Sequence, residues 1–225
     1  VLVIPLTFLF VRRIADRRVA LVTAFLVTFS VLEIAWSRQA RMYQQLQFFY
    51  ILSLYFFYEF TEKRSNRYLI LTVISTVGAI LSHVFGFALI IVYPAYLALT
   101  NIMNIRKFLS KKFLPSRQTV IFTFCVIALL VLGVLFFNIF PTIRGTSMNY
   151  FVEYSGYLEG TFPVILYLAP IGAIIFLRKD YKPSLLLILA VIVPLYFICF
   201  HIKTLGFRYL YFMLPAFFIL FSYSV

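Results

Sequence analysis

Two arginines at the start of an apolar stretch are the residues of this sequence that most directly suggest chemistry. Arg38 and Arg41 lie three residues apart in the segment Trp36-Ser37-Arg38-Gln39-Ala40-Arg41-Met42-Tyr43, a spacing that would put both on one face of a helical turn. Two guanidinium groups can bind a phosphate through bidentate hydrogen bonds. The spacing fits equally well two arginines that reach lipid headgroups beside an aromatic belt of Trp36 and Tyr43. The pattern alone therefore leaves both anion binding and membrane anchoring open.

A third arginine stands near the other end of the sequence. Arg208 opens the last apolar stretch, within the segment 206–215, where a single arginine can serve as a membrane anchor or as a further phosphate donor. Pro215 lies inside this stretch and is expected to kink its helix. Three arginines in one small region repel one another. We expect them to approach only if an anion compensates them, or an acid such as Glu33 or Glu153.

Acidic, aromatic and histidine side chains are the other candidates for a polar site. The segment 142–160 carries Glu153 among several tyrosines. Aromatic rings beside carboxylates suit contact with sugar or lipid, and an amphipathic segment lying on a membrane has the same pattern. His83 and His201 have no thiolate or acidic partner at metal-ligand spacing, so no metal site is predicted. The sequence contains no catalytic triad, phosphate-binding loop or dinucleotide-binding motif.

The composition predicts the class of fold that holds these candidate residues. Of the 225 residues, 64% are hydrophobic and 12% are charged, against roughly 45–50% and 25% in soluble domains, and the mean hydropathy is +1.01. A soluble domain of this size cannot bury so much apolar surface, which excludes a soluble enzyme, a disordered chain and a nucleic-acid-binding module. The sequence therefore predicts an all-α integral membrane protein that crosses the bilayer several times.

Charged clusters divide the chain into nine predicted apolar segments. These are residues 1–11, 19–35, 43–60, 68–82, 84–100, 119–141, 161–177, 183–200 and 209–225. Each complete segment crosses or nearly crosses a bilayer as a helix, at about 20 residues per crossing. Residues 68–100 contain no charged residue, and one helix of that length would overshoot the bilayer. We therefore predict two helices with a turn at Ser82–Gly86. Residues 1–225 are treated as one transmembrane domain and are expected to be an internal fragment of a longer chain.

The distribution of basic residues predicts the orientation of these segments. Fifteen of the 20 lysines and arginines fall in four loops, at 12–18, 61–67, 101–118 and 178–182, and five fall at the opposite segment ends. The positive-inside rule places the four basic loops in the cytoplasm. His83 and the three arginines described above are then at the outer face.

The two cysteines are not expected to form a disulfide. Cys125 is predicted near the cytoplasmic start of its helix and Cys199 near the outer end of another helix. A disulfide requires Cα atoms within about 7 Å of each other. We therefore expect both cysteines to stay reduced.

Three segments, in order and with matching spacing, resemble one family. Residues 30–58, and above all Ser37-Arg38-Gln39-Ala40-Arg41-Met42-Tyr43, resemble the protein mannosyltransferase-like membrane glycosyltransferases, whose members commonly show a Ser-x-Glu-Ala-Arg-Met-Tyr pattern here. Ser82-His83-Val84-Phe85-Gly86 is similar to the family's histidine and glycine turn, and Arg208-Tyr209-Leu210-Tyr211-Phe212-Met213-Leu214-Pro215 to its C-terminal helix. Two positions depart from the pattern: Gln39 stands where the family has an acid, and Glu33 where relatives are usually apolar.

The resemblance implies a GT-C fold and a sugar donor linked to polyprenyl phosphate. The sugar would move to a glycan, lipid or protein acceptor at the outer face of a membrane, expected to be the plasma membrane, with no nucleic acid involved. The donor phosphate would be bound by Arg38, Arg41 and Arg208. The candidate substrate contacts are Glu33, Tyr43, His83, Glu153 and Tyr209. The family's catalytic aspartate is expected ahead of the first residue, so the fragment should be inactive alone. No cofactor is expected within it, and the need for a divalent metal is left open.

Two other classes of protein are left open by the sequence. A transporter or lipid flippase could use the same basic surface to bind anions. Transporters usually carry ionisable residues near mid-membrane, and here only Glu33 and Glu59 come close to that depth. The other class is a membrane scaffold without a site. An aspartate in the first outer loop of the full-length chain would favour the enzyme.

Overall fold

The computed structural model describes residues 2–39, 41–108, 149–202 and 205–225. In this part of the chain the regular elements are all helical, as the composition predicts. The α-helices are α1 (Val3–Ile14), α2 (Arg17–Phe29), α3 (Val31–Ser37), α4 (Met42–Lys63), α5 (Asn66–Ser82), α6 (Ala88–Phe108), α7 (Phe151–Thr161), α8 (Pro163–Lys179), α9 (Tyr181–Phe200) and α10 (Leu214–Ser222). Two 3₁₀ segments, Val84–Phe87 and Phe207–Met213, precede α6 and α10.

Local residue choices set several helix ends. The Asp16 carboxylate accepts the Val19 amide hydrogen at 3.0 Å and so caps α2. This backbone hydrogen bond lowers the pKa of Asp16. At the other end of α4, Arg64 adopts the left-handed conformation (φ 51°) that commonly ends a helix. Pro163 lies in the first turn of α8, where its missing amide hydrogen costs nothing.

Helix α4 runs through the core of the described part. Its residues Tyr50, Ile51, Leu54 and Phe57 are fully buried. Polar contacts add to this apolar packing: the Tyr50 hydroxyl donates to the Ala190 carbonyl at 2.8 Å, and the Ser53 hydroxyl lies 2.7 Å from that of Thr76. Small hydroxyl side chains commonly join helices in this way inside membranes.

The number of membrane crossings is only partly defined by the helices. In the described residues one helix, α9, is long and apolar enough to cross a bilayer by itself. Counting each bent pair as one crossing gives up to three, with α2 and α3 bent by 56° and α7 and α8 by 104°. The nine predicted segments therefore stay a prediction, and residues 119–141 lie outside the described residues.

Several sequence-based expectations about the helices can be compared with the structure. The predicted turn after Ser82 is confirmed, because α5 ends there and His83 is extended. A Cβ at Gly86 would lie 2.5 Å from the backbone of Ala79, so this tight turn requires glycine. The predicted single segment 19–35 is broken at Ser30, between α2 and α3. The predicted kink at Pro215 is wrong, because this proline lies in the first turn of α10.

Ion pairs gather three of the four predicted cytoplasmic loops at one end of α4. Glu59 pairs with Arg13 and with Lys63, and Lys182 lies 2.7 Å from Glu62. Lys179 lies 3.7 Å from Asp16. We call this region, with its residues Arg13, Asp16, Glu59, Glu62, Lys63, Lys179 and Lys182, the ion-pair end. The fourth loop, 101–118, lies largely outside the described residues.

Candidate anion-binding site

Aromatic side chains from three distant segments meet at the other end of α4. The Tyr43 ring centroid lies 5.2 Å from that of His83 and 6.4 Å from that of Tyr209. Trp36 packs edge-on against Tyr43 at 6.0 Å, and Phe85 against Tyr209 at 5.0 Å. We call these five residues the aromatic end. It lies about 30 Å from Lys63 along α4, at 1.5 Å per helical residue.

Arg208 and Arg41 both border this aromatic end. The Arg208 guanidinium lies 5.3 Å from the Tyr209 ring centroid and donates to the Tyr209 hydroxyl at 3.5 Å. Its charge also acts on His83 and Tyr43. Arg41 is extended and exposed at the start of α4, and its charge acts on Tyr43 as well. The structure thus places two arginines from distant parts of the sequence within electrostatic range of the same tyrosine.

The Arg208 guanidinium retains hydrogen-bonding capacity. Its Nε atom is buried and has no hydrogen-bond partner among the described residues. Within the same part of the chain, Arg38, Arg41 and Arg208 form no ion pair with a carboxylate. Buried donors are normally satisfied, and cations placed close together normally have a counter-charge. The arrangement therefore suits an anionic ligand.

Arg38 is placed differently from its sequence prediction. Helix α3 ends at Ser37, and Arg41 is extended (φ −109°, ψ 160°) as the residue that precedes α4. The expected helical turn through Arg38 and Arg41 is therefore wrong, because the chain must leave α3 before it can begin α4. Arg38 is exposed on this connection.

His83 is held as a neutral hydrogen-bond donor. Its Nδ1 atom accepts the backbone amide hydrogen of Phe85 at 3.3 Å, so the neutral ring carries its proton on Nε2. Burial lowers the pKa of His83 to about 4, and the nearby positive charge of Arg208 adds to this effect. His83 therefore offers an Nε2–H group beside Arg208 without adding a third charge.

The two acids predicted near the arginines do not pair with them in the described structure. Glu33 is only 6% exposed and accepts a hydrogen bond from Gln47 Nε2 at 2.6 Å. Glu153 is exposed in the first turn of α7. Its helix nevertheless packs beside the 3₁₀ segment that carries Arg208, because the Tyr157 ring stacks on Phe207 at 3.9 Å.

Some residues of this region were not selected from the sequence. Phe85 contacts His83 and Tyr209, and Gln47 contacts Glu33 and the Tyr211 carbonyl. Gln47 could have been selected from the sequence, because it is a polar residue in an apolar helix, four residues after Tyr43.

The remaining sequence-based predictions concern metals and cysteines. No group of three metal-ligating side chains occurs in the described residues. Cys199 is a buried free thiol, and Cys125 lies outside the described residues, so the predicted separation of the two cysteines stays a prediction.

The apolar composition and the helical packing define a helical membrane protein, with two arginines beside aromatic rings at one end of α4. The chain matches the dolichyl-phosphate-mannose-protein mannosyltransferase family model over residues 1–132, more than half of its length, and belongs to this family. The family comprises membrane glycosyltransferases of the GT-C type that use polyprenyl-phosphate-linked sugars. No curated protein and no solved structure shows significant similarity to the chain.

The matched range includes only part of the candidate site. Arg41, Tyr43 and His83 lie inside residues 1–132, whereas Arg208 and Tyr209 lie beyond them. The folded chain brings the two parts together. The family match therefore covers one part of the candidate site, and the folded chain adds the part that lies beyond residue 132.

Proposed function

We propose that the full-length protein transfers a sugar from a polyprenyl-phosphate carrier to an acceptor at the extracytoplasmic face, with Arg41 and Arg208 binding the donor phosphate. The observation that carries this proposal is that the charges of both arginines act on Tyr43, which packs beside His83 and Tyr209. The Nε atom of Arg208 is also buried and has no hydrogen-bond partner among the described residues. Family membership supplies the reaction class.

The chemistry of transfer fits such a surface. Cleavage of the bond between sugar and phosphate leaves a phosphate whose negative charge grows in the transition state. Preorganised cationic donors stabilise that growth. The Nε2–H group of His83 adds a neutral donor beside them. A carboxylate would act as the general base on the acceptor hydroxyl.

The position of the site relative to the membrane is also part of the proposal. The aromatic end lies opposite the ion-pair end, where basic loops gather, and the positive-inside rule favours a cytoplasmic place for those loops. Tyrosine and tryptophan at the aromatic end suit a membrane–water interface. The polyprenyl tail would lie along the apolar helices, and we propose the plasma membrane as the location. The acceptor would be a glycan, a lipid or a protein.

A binding and a transfer measurement on the same variants test this function. Polyprenyl monophosphate binding and mannose transfer from polyprenyl-phosphate-mannose would be measured with the full-length protein in vesicles. Arg208→Ala should weaken both. The matched control is Arg67→Ala, an exposed arginine in the first turn of α5. Equal binding and transfer by Arg208→Ala and wild type would contradict the proposal. Binding without transfer by the wild-type protein would favour a lipid-phosphate transporter.

A further inference from the structure

A buried polar network lies directly beneath the aromatic end. Gln47 Nε2 donates to the Glu33 carboxylate at 2.6 Å and to the Tyr211 carbonyl at 2.9 Å. The Tyr211 hydroxyl in turn donates to Gln44 Oε1 and also interacts with the Glu33 carboxylate. Three segments, α3, α4 and the 3₁₀ segment Phe207–Met213, are thus joined by side-chain hydrogen bonds.

The network lies close in sequence to Arg208 and to the start of α4, where Arg41 stands. Gln47 lies one helical turn after Tyr43 on α4, and Tyr211 lies three residues after Arg208. Gln47 and Tyr211 are fully buried, and Glu33 is 6% exposed. Water therefore competes weakly for these hydrogen bonds, which makes each bond stronger and its loss more costly.

We propose that Glu33 is a positioning residue for donor binding. Through Gln47 it holds the 3₁₀ segment that carries Arg208 against the helix that begins beside Arg41. This inference rests on the proposed function. It replaces the sequence-based expectation of Glu33 as a substrate contact or counter-charge, because Glu33 is buried and its carboxylate accepts from Gln47.

Two substitutions of Glu33 separate positioning from charge. Glu33→Gln keeps an oxygen that can accept from Gln47, so polyprenyl monophosphate should bind within about twofold of the wild-type affinity. Glu33→Leu removes the acceptor, and the affinity should fall about tenfold. Both would be measured with the full-length protein in detergent micelles. Wild-type affinity in Glu33→Leu, or an equal loss in Glu33→Gln, would overturn the positioning role.

A matched control separates positioning from general destabilisation. Thr23→Val removes a buried hydroxyl that contacts Ser222 at 2.9 Å between α2 and α10. It should lower the Tm and leave donor affinity unchanged, and an equal loss of affinity in Thr23→Val and Glu33→Leu would overturn the proposal.

A second route is available if Glu33→Leu does not fold. Tyr211→Phe removes only the hydroxyl of the network, and the affinity should fall about threefold; unchanged affinity would overturn the proposal. Arg208→Ala reports separately on the proposed function. Wild-type affinity in Arg208→Ala would contradict the proposed function. Wild-type affinity in the Glu33 and Tyr211 variants, together with a loss in Arg208→Ala, would overturn only the positioning role of Glu33.

Discussion

The charged residues at the two ends of α4 have different kinds of partner. At the ion-pair end the buried carboxylate of Glu59 is paired with both Arg13 and Lys63. At the aromatic end Arg41 and Arg208 lie beside aromatic rings, and the buried acid Glu33 accepts from the neutral amide of Gln47. The ion-pair end gives its buried carboxylate two cationic partners, whereas Arg41 and Arg208 at the aromatic end have no carboxylate partner among the described residues.

This difference separates a structural use of charge from a ligand-binding use. A buried ion pair fixes helix positions, and breaking it leaves an uncompensated charge. Unpaired arginines repel each other and contribute little to stability by themselves. Substitutions at the ion-pair end should therefore change stability, and those at the aromatic end should change anion affinity.

Removal of both cations from Glu59 should give the largest effect. Glu59 is fully buried, so Arg13→Ala/Lys63→Ala leaves a buried carboxylate without a partner and should lower the free energy of unfolding by about 3–5 kcal/mol. Denaturant titration in mixed micelles would measure this change. Adding Glu59→Leu should restore most of the loss because no buried charge remains. A double variant as stable as wild type would contradict the stabilising role of the ion pairs at Glu59.

Arg208→Ala should give the next largest effect, on affinity rather than stability. Losing charged hydrogen bonds to phosphate costs about 1.5–3 kcal/mol, or roughly ten- to a hundredfold in the dissociation constant for polyprenyl monophosphate. The free energy of unfolding should change by less than about 1 kcal/mol, because the guanidinium has no carboxylate partner in the described structure. A large loss of stability with unchanged affinity would reverse the assignment of the two ends.

Arg41→Lys tests whether hydrogen-bond geometry matters in addition to charge. Lysine keeps the positive charge and loses the planar fork that binds phosphate bidentately. We expect donor affinity to fall about three- to tenfold, and transfer to fall with it. The control is Arg12→Lys, in the last turn of α1 next to Arg13 of the ion-pair end. It should change neither donor affinity nor transfer. Full activity in Arg41→Lys would mean that Arg41 contributes charge alone.

His83→Gln and His83→Asn test the neutral donor. Glutamine can place an amide N–H near the position of histidine Nε2, whereas asparagine reaches only to the position of Nδ1. Donor affinity should therefore be nearly retained in His83→Gln and reduced about two- to tenfold in His83→Asn, as expected for one neutral hydrogen bond. An equal loss in both variants would show that His83 acts in another way.

The pH dependence of stability gives the smallest expected effect. The pKa of His83 is lowered from 6.5 to about 4, so the unfolded chain binds this proton at a higher pH than the folded chain. The contribution of neutral His83 is therefore complete above pH 6.5 and is lost as the pH falls towards 4. His83→Gln should remove this part of the pH dependence in thermal unfolding, and identical profiles for both proteins would contradict the assigned burial.

The sequence predicted the helical class and the turn after Ser82, because hydropathy and glycine act locally, whereas the donor-binding role of the candidate arginines stays a prediction. It did not predict the break at Ser30 or the start of α10 at Pro215, because packing between helices decides where a segment bends or begins. The role of Gln47 was also missed. Its partners Glu33 and Tyr211 come from distant segments, and only the folded chain brings them together.

A double-mutant cycle on Arg41 and Arg208 is the most direct test of whether both arginines bind the same donor phosphate. Polyprenyl monophosphate affinity would be measured for wild type, Arg41→Ala, Arg208→Ala and the double variant of the full-length protein. If both arginines bind one phosphate, the losses should be non-additive by more than about 0.5 kcal/mol. Additive losses, or no loss in either single variant, would contradict a shared donor-phosphate site.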